Sequence, residues 1–264
     1  MKHFALLLSF FLLACSSVQA QDWAKEQLNK SPRHLDWVKV KSGDREVKCF
    51  IAYPEVKGKA TSVVVIHEIF GLSDWVRGVC DQLAAKGYIA IAPDLLSGKA
   101  GEDSSKYTDQ DSQRKAITSL PPQQVTDDLD AVSKYVTKLP ASNGKLAVSG
   151  FCWGGMQTFR FATNDPSVKA AFVFYGTSPE KVEDLSKITA PVFGFYGEKD
   201  SHVTPSVEKT KEAMKEAHKT FEPKIYDGAG HGFMRSGEAP DADAFNKAAR
   251  TQAWERWNEE LKKI

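Results

Sequence analysis

Lys145-Leu146-Ala147-Val148-Ser149-Gly150-Phe151-Cys152-Trp153-Gly154-Gly155 is the stretch on which the fold turns. Lys145 to Ser149 reads as a short buried strand, and the segment around Gly154 to Ala162 reads as a helix. Between them Gly150-x-Cys152-x-Gly154 has the spacing of a sharp strand-to-helix elbow that exposes a nucleophile. The glycines are required because the elbow residue is strained and neighbouring backbones pass close to it. Cys152 would stand at the carboxyl end of a strand and at a helix N-terminus, whose dipole favours a thiolate. An isolated cysteine is more often a buried structural residue; the strand and helix around this one argue for a reactive thiol.

Outward from the elbow, strand and helix alternate. Ser62 to Ile66 is a continuous β-branched run of the kind covered on both faces. Asp74 to Lys86 carries Val76, Cys80, Leu83 and Ala84 on one helical stripe, and Ile89 to Ala92 forms the next strand, giving a βαβ unit. Gln123 to Leu139 is an amphipathic helix stopped by Pro140. Ala170 to Phe174, Val192 to Tyr196 and Phe221 to Tyr226 are further strands, with helices near Val207 to His218 and Asp241 to Leu261. Before all of these, Trp37 to Lys41 and Glu46 to Tyr53 form a hairpin of antiparallel edge strands around Ser42-Gly43-Asp44. The stretch from Pro93 to about Pro122 loses its periodicity and reads as a surface excursion with a helix near Ser112 to Thr118. The pattern predicts an α/β fold, with a mostly parallel central sheet and helices on both faces.

Composition narrows the function. The 264 residues carry 35 Lys plus Arg against 34 Asp plus Glu, so no global field draws the protein to nucleic acid or an anionic surface. A hydrophobic fraction of 42% with 26% charged residues excludes disordered, collagen-like and multi-span membrane classes. Four cysteines without a CxxC pair exclude a zinc ribbon or a disulfide scaffold. Cys49 and Cys80 are most simply core residues.

A cysteine nucleophile needs a base, and the base needs an orienting acid. On α/β-hydrolase folds these follow the nucleophile in the order acid then base, each after a later strand. Asp200 follows Val192 to Tyr196 through Gly197-Glu198-Lys199, and His231 follows Phe221 to Tyr226 in a glycine-rich loop. His202 beside Asp200 is a weaker candidate base. His67-Glu68 suggests a zinc peptidase, but H-E-x-x-H would need histidine where Gly71 stands.

Together His67-Glu68-Ile69-Phe70-Gly71, Pro93-Asp94-Leu95, Gly150-Phe151-Cys152-Trp153-Gly154-Gly155, Gly197-Glu198-Lys199-Asp200 and Gly230-His231-Gly232-Phe233 closely resemble the dienelactone hydrolase (carboxymethylenebutenolidase) family. The resemblance runs from about Val47 to the last helix. It implies an α/β-hydrolase fold and a Cys152, His231, Asp200 triad that opens a small lactone or ester through an acyl-enzyme, with no cofactor. It implies that Glu68 accepts the proton of the cysteine and that the backbone N–H groups of Trp153 and Ile69 form the oxyanion hole. Arg235 matches a position that binds a substrate carboxylate, and Arg114 matches a second one only through gaps in the alignment. Trp153 is bulky for the family. The rival readings are a general exported carboxylesterase or thioesterase of the same fold, and a non-catalytic binding protein that kept the fold.

The first twenty residues read as an address rather than as fold. Lys2 and His3 precede an apolar run from Phe4 to Ala14, and Val18-Gln19-Ala20 offers a signal-peptidase site before Gln21. The run is too short to span a bilayer. The expectation is a cleaved signal (1–20), a single periplasmic or secreted domain (21–264) and no membrane span in the mature chain. Leu12-Leu13-Ala14-Cys15 also resembles a lipoprotein signal, which would anchor the protein through Cys15. The substrate is expected to be a small molecule.

Overall fold

The computed structural model describes residues 22–98, 103–107 and 109–264. The expected signal peptide, its cleavage point and Cys15 lie outside the described residues, as do five positions of the 93–122 excursion. The chain runs α1 (Asp22–Asn29), β1 (Leu35–Ser42), β2 (Arg45–Ala52), β3 (Ala60–Ile66), α2 (Asp74–Ala85) and β4 (Ile89–Pro93). It continues with α3 (Gln110–Thr118), α4 (Pro122–Thr137), β5 (Ser142–Phe151), α5 (Trp153–Ala162), β6 (Val168–Phe174) and α6 (Val182–Leu185). The last elements are β7 (Val192–Gly197), α7 (Val207–Glu216), β8 (Phe221–Tyr226), α8 (Phe233–Ser236) and α9 (Ala244–Leu261). Among the described residues no helix is long and apolar enough to cross a membrane.

The strands form one sheet in the order β1-β2-β4-β3-β5-β6-β7-β8. β1 and β2 pair antiparallel, as do β2 and β4, and every later pairing is parallel. The helices lie on both faces because successive residues of a central strand point to opposite sides. Val63 and Val65 enter one core layer with Trp75 and Leu83 of α2 and Trp257 of α9. Val64 and Ile66 enter the other with Val125, Leu129, Val132 and Val136 of α4. α9 buries Ala249, Ala253, Trp257 and Leu261, a stripe with one contact per turn.

Two expectations change. The hairpin is confirmed, but of its two strands β1 alone lies at an edge of the sheet. β2 is interior because Phe50 and Ala52 fill one layer while Cys49 and Ile51 fill the other, so the strand is apolar on both faces. α9 begins at Ala244 rather than near Asp241, where Asp243 accepts hydrogen bonds from the N–H groups of Phe245 and Asn246.

Strand order places the site. The chain lays β4 on one side of β3 and then crosses back to lay β5 on the other, so the loops after β3 and β5 diverge. In parallel sheets ligands bind at such a reversal, beyond the carboxyl ends of the strands. Ile66 pairs with Gly150, which sets His67, Glu68 and Ile69 beside Phe151 and Cys152.

Candidate active site

The elbow is built as its glycines require. Cys152 has φ +55° and ψ −117°, a left-handed conformation costly for a side chain with a Cβ. Its N–H donates to the carbonyl of Phe174 at 3.0 Å, anchoring the turn to the neighbouring strand. A Cβ on Gly150 would collide with the carbonyl of Gly154, and one on Gly154 with the carbonyls of Ile66 and His67. The start of α5 therefore rests directly on the end of β3. The backbone N–H groups of Trp153 and Ile69, one from each side of this contact, face the Cys152 sulfur and favour its thiolate form.

The thiol is not the thiolate that the helix dipole suggests. Burial first, and then the Glu68 carboxylate, push it up to about 11, while the two amides and Arg235 pull the other way. A helix N-terminus contributes roughly 0.3–1 kcal/mol to a charge, which is too little against both opposing effects. At neutral pH Cys152 rests protonated.

Glu68, with its side chain 3% exposed, accepts a hydrogen bond from Nε of Arg235 at 2.8 Å. Arg235 sits on the single turn of α8 and lies over the ring of Phe70 at 5.2 Å. It is thus neither a solvated surface charge nor an isolated binding group: its Nε edge is occupied by a buried carboxylate. The far edge of the guanidinium has no protein acceptor among the described residues.

His231 donates from Nδ1 to Oδ2 of Asp200 at 2.6 Å, and the Asp200 side chain is fully buried. The other oxygen, Oδ1, accepts from the N–H groups of His202 and Val203, so the carboxylate is fixed by the turn after β7. His202 meets Asp200 through its backbone; its residue is exposed. Gly232, next to His231, packs against Arg235 and Glu68.

Tyr175, which sequence reading passed over, joins these groups. It follows β6 in a left-handed conformation (φ +40°) and is fully buried, with its ring 5.0 Å from that of His231. Burial and the neighbouring Glu68 and Cys152 charges raise its phenol, and its hydroxyl has no hydrogen-bond partner among the described residues. Position alone carried the signal, since parallel strands here end at the site.

Arg114 is not brought into this cluster. It is 56% exposed on α3 and pairs at 3.1 Å with Asp111 one turn earlier, the local partner that a surface helix offers an arginine. Cys49 and Cys80 are free and buried in different core layers, with the sheet between them, as core residues and not as a disulfide.

Comparison with known proteins agrees with this architecture. The model of the dienelactone hydrolase family matches residues 47–264. A Salmonella typhimurium protein assigned by name to the carboxymethylenebutenolidases is 31% identical over 229 residues, covering 82% of this chain and 83% of that protein. An Escherichia coli K12 protein of the same name is 32% identical over 216 residues, covering 78% of each. The crystal structure of a Klebsiella pneumoniae protein of dienelactone hydrolase type superposes with a TM-score of 0.78 at 28% identity, over 88% of this chain and 99% of that one. The α/β-hydrolase sheet, the elbow and a match over most of the chain lead to one conclusion: the protein belongs to the dienelactone hydrolase family and is a hydrolase of the carboxymethylenebutenolidase-like, carboxylic ester type.

Proposed function

We propose that the protein hydrolyses a small ester or lactone that carries a carboxylate, through a thioester formed on Cys152. The observation that carries this reading is the Glu68–Arg235 pair beside a protonated thiol. A substrate carboxylate fits the planar guanidinium fork and competes with Glu68 for it. Glu68, released from its counter-ion, then takes the proton of Cys152. The thiolate attacks the carbonyl carbon, and the oxygen that gains the electron pair lies between the N–H groups of Ile69 and Trp153. Collapse breaks the C–O bond and the proton held by Glu68 passes to the departing alkoxide, which in a lactone remains attached to the acyl group. His231 next takes a proton from water, the hydroxide attacks the thioester, and Cys152 leaves as thiolate and takes that proton from His231, which restores the resting state. Asp200 keeps Nδ1 of His231 protonated so that Nε2 faces the reaction. On this reading a substrate without the carboxylate leaves the thiol in its resting state.

Arg235→Ala tests the assignment. KM for an anionic lactone is expected to rise by about one to two powers of ten, the worth of roughly 1.5–3 kcal/mol for a charge-assisted hydrogen bond. A neutral p-nitrophenyl ester of similar size should change less than about threefold. Equal losses on both substrates would make Arg235 a structural residue. A native enzyme that prefers the neutral ester would favour the general carboxylesterase.

Export belongs to the same proposal, supported by the basic start, the apolar run to Ala14 and the Val18-Gln19-Ala20 site. Intact mass of protein from the native host should correspond to a chain beginning at Gln21, in a soluble periplasmic or secreted fraction. An acylated Cys15 or a retained Met1 would overturn it.

A further inference from the structure

His67 follows β3 directly, is fully buried, and has no part in the chemistry above. Backbone groups grip its ring from both sides. Nδ1 lies 2.8 Å from the carbonyl oxygen of Glu68, and the N–H of Leu95 reaches Nε2 at 3.3 Å. A carbonyl only accepts and an amide N–H only donates, so the proton sits on Nδ1 and the lone pair on Nε2. One neutral tautomer satisfies both partners. Burial lowers the imidazole below its ordinary value against the pull of the nearby Asp94 carboxylate, which keeps that form.

The carbonyl that His67 holds belongs to the same peptide unit as the N–H of Ile69. A trans peptide points its C=O and N–H in opposite directions, so fixing one end aims the other. The aimed end faces the Cys152 sulfur and favours its thiolate form. The face of the imidazole stacks on the indole of Trp153, with centroids 5.6 Å apart and planes 16° from parallel, and Trp153 supplies the second N–H at that sulfur. A single buried ring therefore holds the carbonyl end of the peptide that presents one amide and stacks on the side chain of the residue that presents the other.

We propose that His67 is the positioning residue of the oxyanion site. Donation from Nδ1 to the Glu68 carbonyl, at 2.8 Å against 3.2 Å for the Gly71 N–H that shares this acceptor, holds the Glu68–Ile69 peptide with its N–H toward the reacting centre and opposes the flip that would put a carbonyl there. The proposal rests on the reading of Cys152 as nucleophile.

Two variants separate donation from packing. His67→Phe keeps a stacked ring and removes both hydrogen bonds. His67→Asn places an amide N–H as many bonds from the backbone as Nδ1, and so keeps the donor. Losing one oxyanion donor costs about 10²–10³ in kcat, and a donor merely left mobile should cost less. His67→Phe is expected to lower kcat about 10- to 100-fold with KM changed less than about threefold. Affinity for a trifluoromethyl ketone, which adds to the thiolate and leaves an alkoxide at the oxyanion position, should fall in step. His67→Asn should stay within about fivefold of the native kcat. Equal losses in the two variants, or a folded His67→Phe with native kcat, would overturn the role of His67. Activity that survives Cys152→Ala would instead remove the nucleophile reading on which it rests. A measurement on the native protein guards against a misfolded variant. Nitrogen NMR with labelled histidine should show His67 protonated at Nδ1 and bare at Nε2 from about pH 6 to 9, and the opposite tautomer would end the proposal.

Discussion

Cys152→Ala is expected to abolish hydrolysis, with kcat/KM falling by at least about 10³-fold while the fold survives, because the substitution removes only a sulfur atom at a partly accessible position. Iodoacetamide should inactivate the native enzyme through this residue alone, since Cys49 and Cys80 are buried and their thiols are raised by desolvation. The pH dependence has a definite sign. With Cys152 pushed up to about 11, alkylation without substrate should quicken by about tenfold per pH unit from neutrality to beyond pH 9, as the thiolate fraction grows. A rate that levels off below pH 8 would mean a resting thiolate, and with it no need for Glu68 to be released. Retained activity in Cys152→Ala would end the acyl-enzyme mechanism.

His231→Asn should cost nearly as much, about 10³-fold in kcat, and the double variant with Cys152→Ala should be no worse than the worse single one, since groups that act as a unit lose their effect together. Asp200→Asn should also be severe. The buried carboxylate accepts from Nδ1 of His231 and from two backbone N–H groups, and an amide there would offer the imidazole a donor where it needs an acceptor. His202→Ala is the control: its exposed side chain takes no part in holding Asp200, so activity should be unchanged. More than a tenth of native kcat in His231→Asn, with the loss appearing in His202→Ala, would transfer the role of base to His202.

How much of this was legible beforehand follows the range of the forces involved. The apolar run at Ser62 to Ile66, the stripe on α2 and the glycines around Cys152 are local patterns with local causes. They fixed the α/β architecture, the elbow and the places of Asp200 and His231 after β7 and β8. The short turns α6 and α8 have too few residues for a period, so their existence was not readable. The interior place of β2 needed the knowledge that both of its faces would be covered.

The sequence by itself determined which strands end at the site, in what order the chemical groups arrive, and the family whose motifs those groups spell. The tertiary structure decided their electrical state and their partners. Glu68 and Arg235 stand 167 positions apart and meet at 2.8 Å, and no local pattern encodes that pairing. Nor could sequence give the burial that raises the Cys152 thiol, seat Tyr175 beside His231, or leave Arg114 on the surface with Asp111. Periodicity records which side of an element is dry. Desolvation and Coulomb attraction depend on what the folded chain brings within a few ångströms, and only the assembled sheet sets that distance.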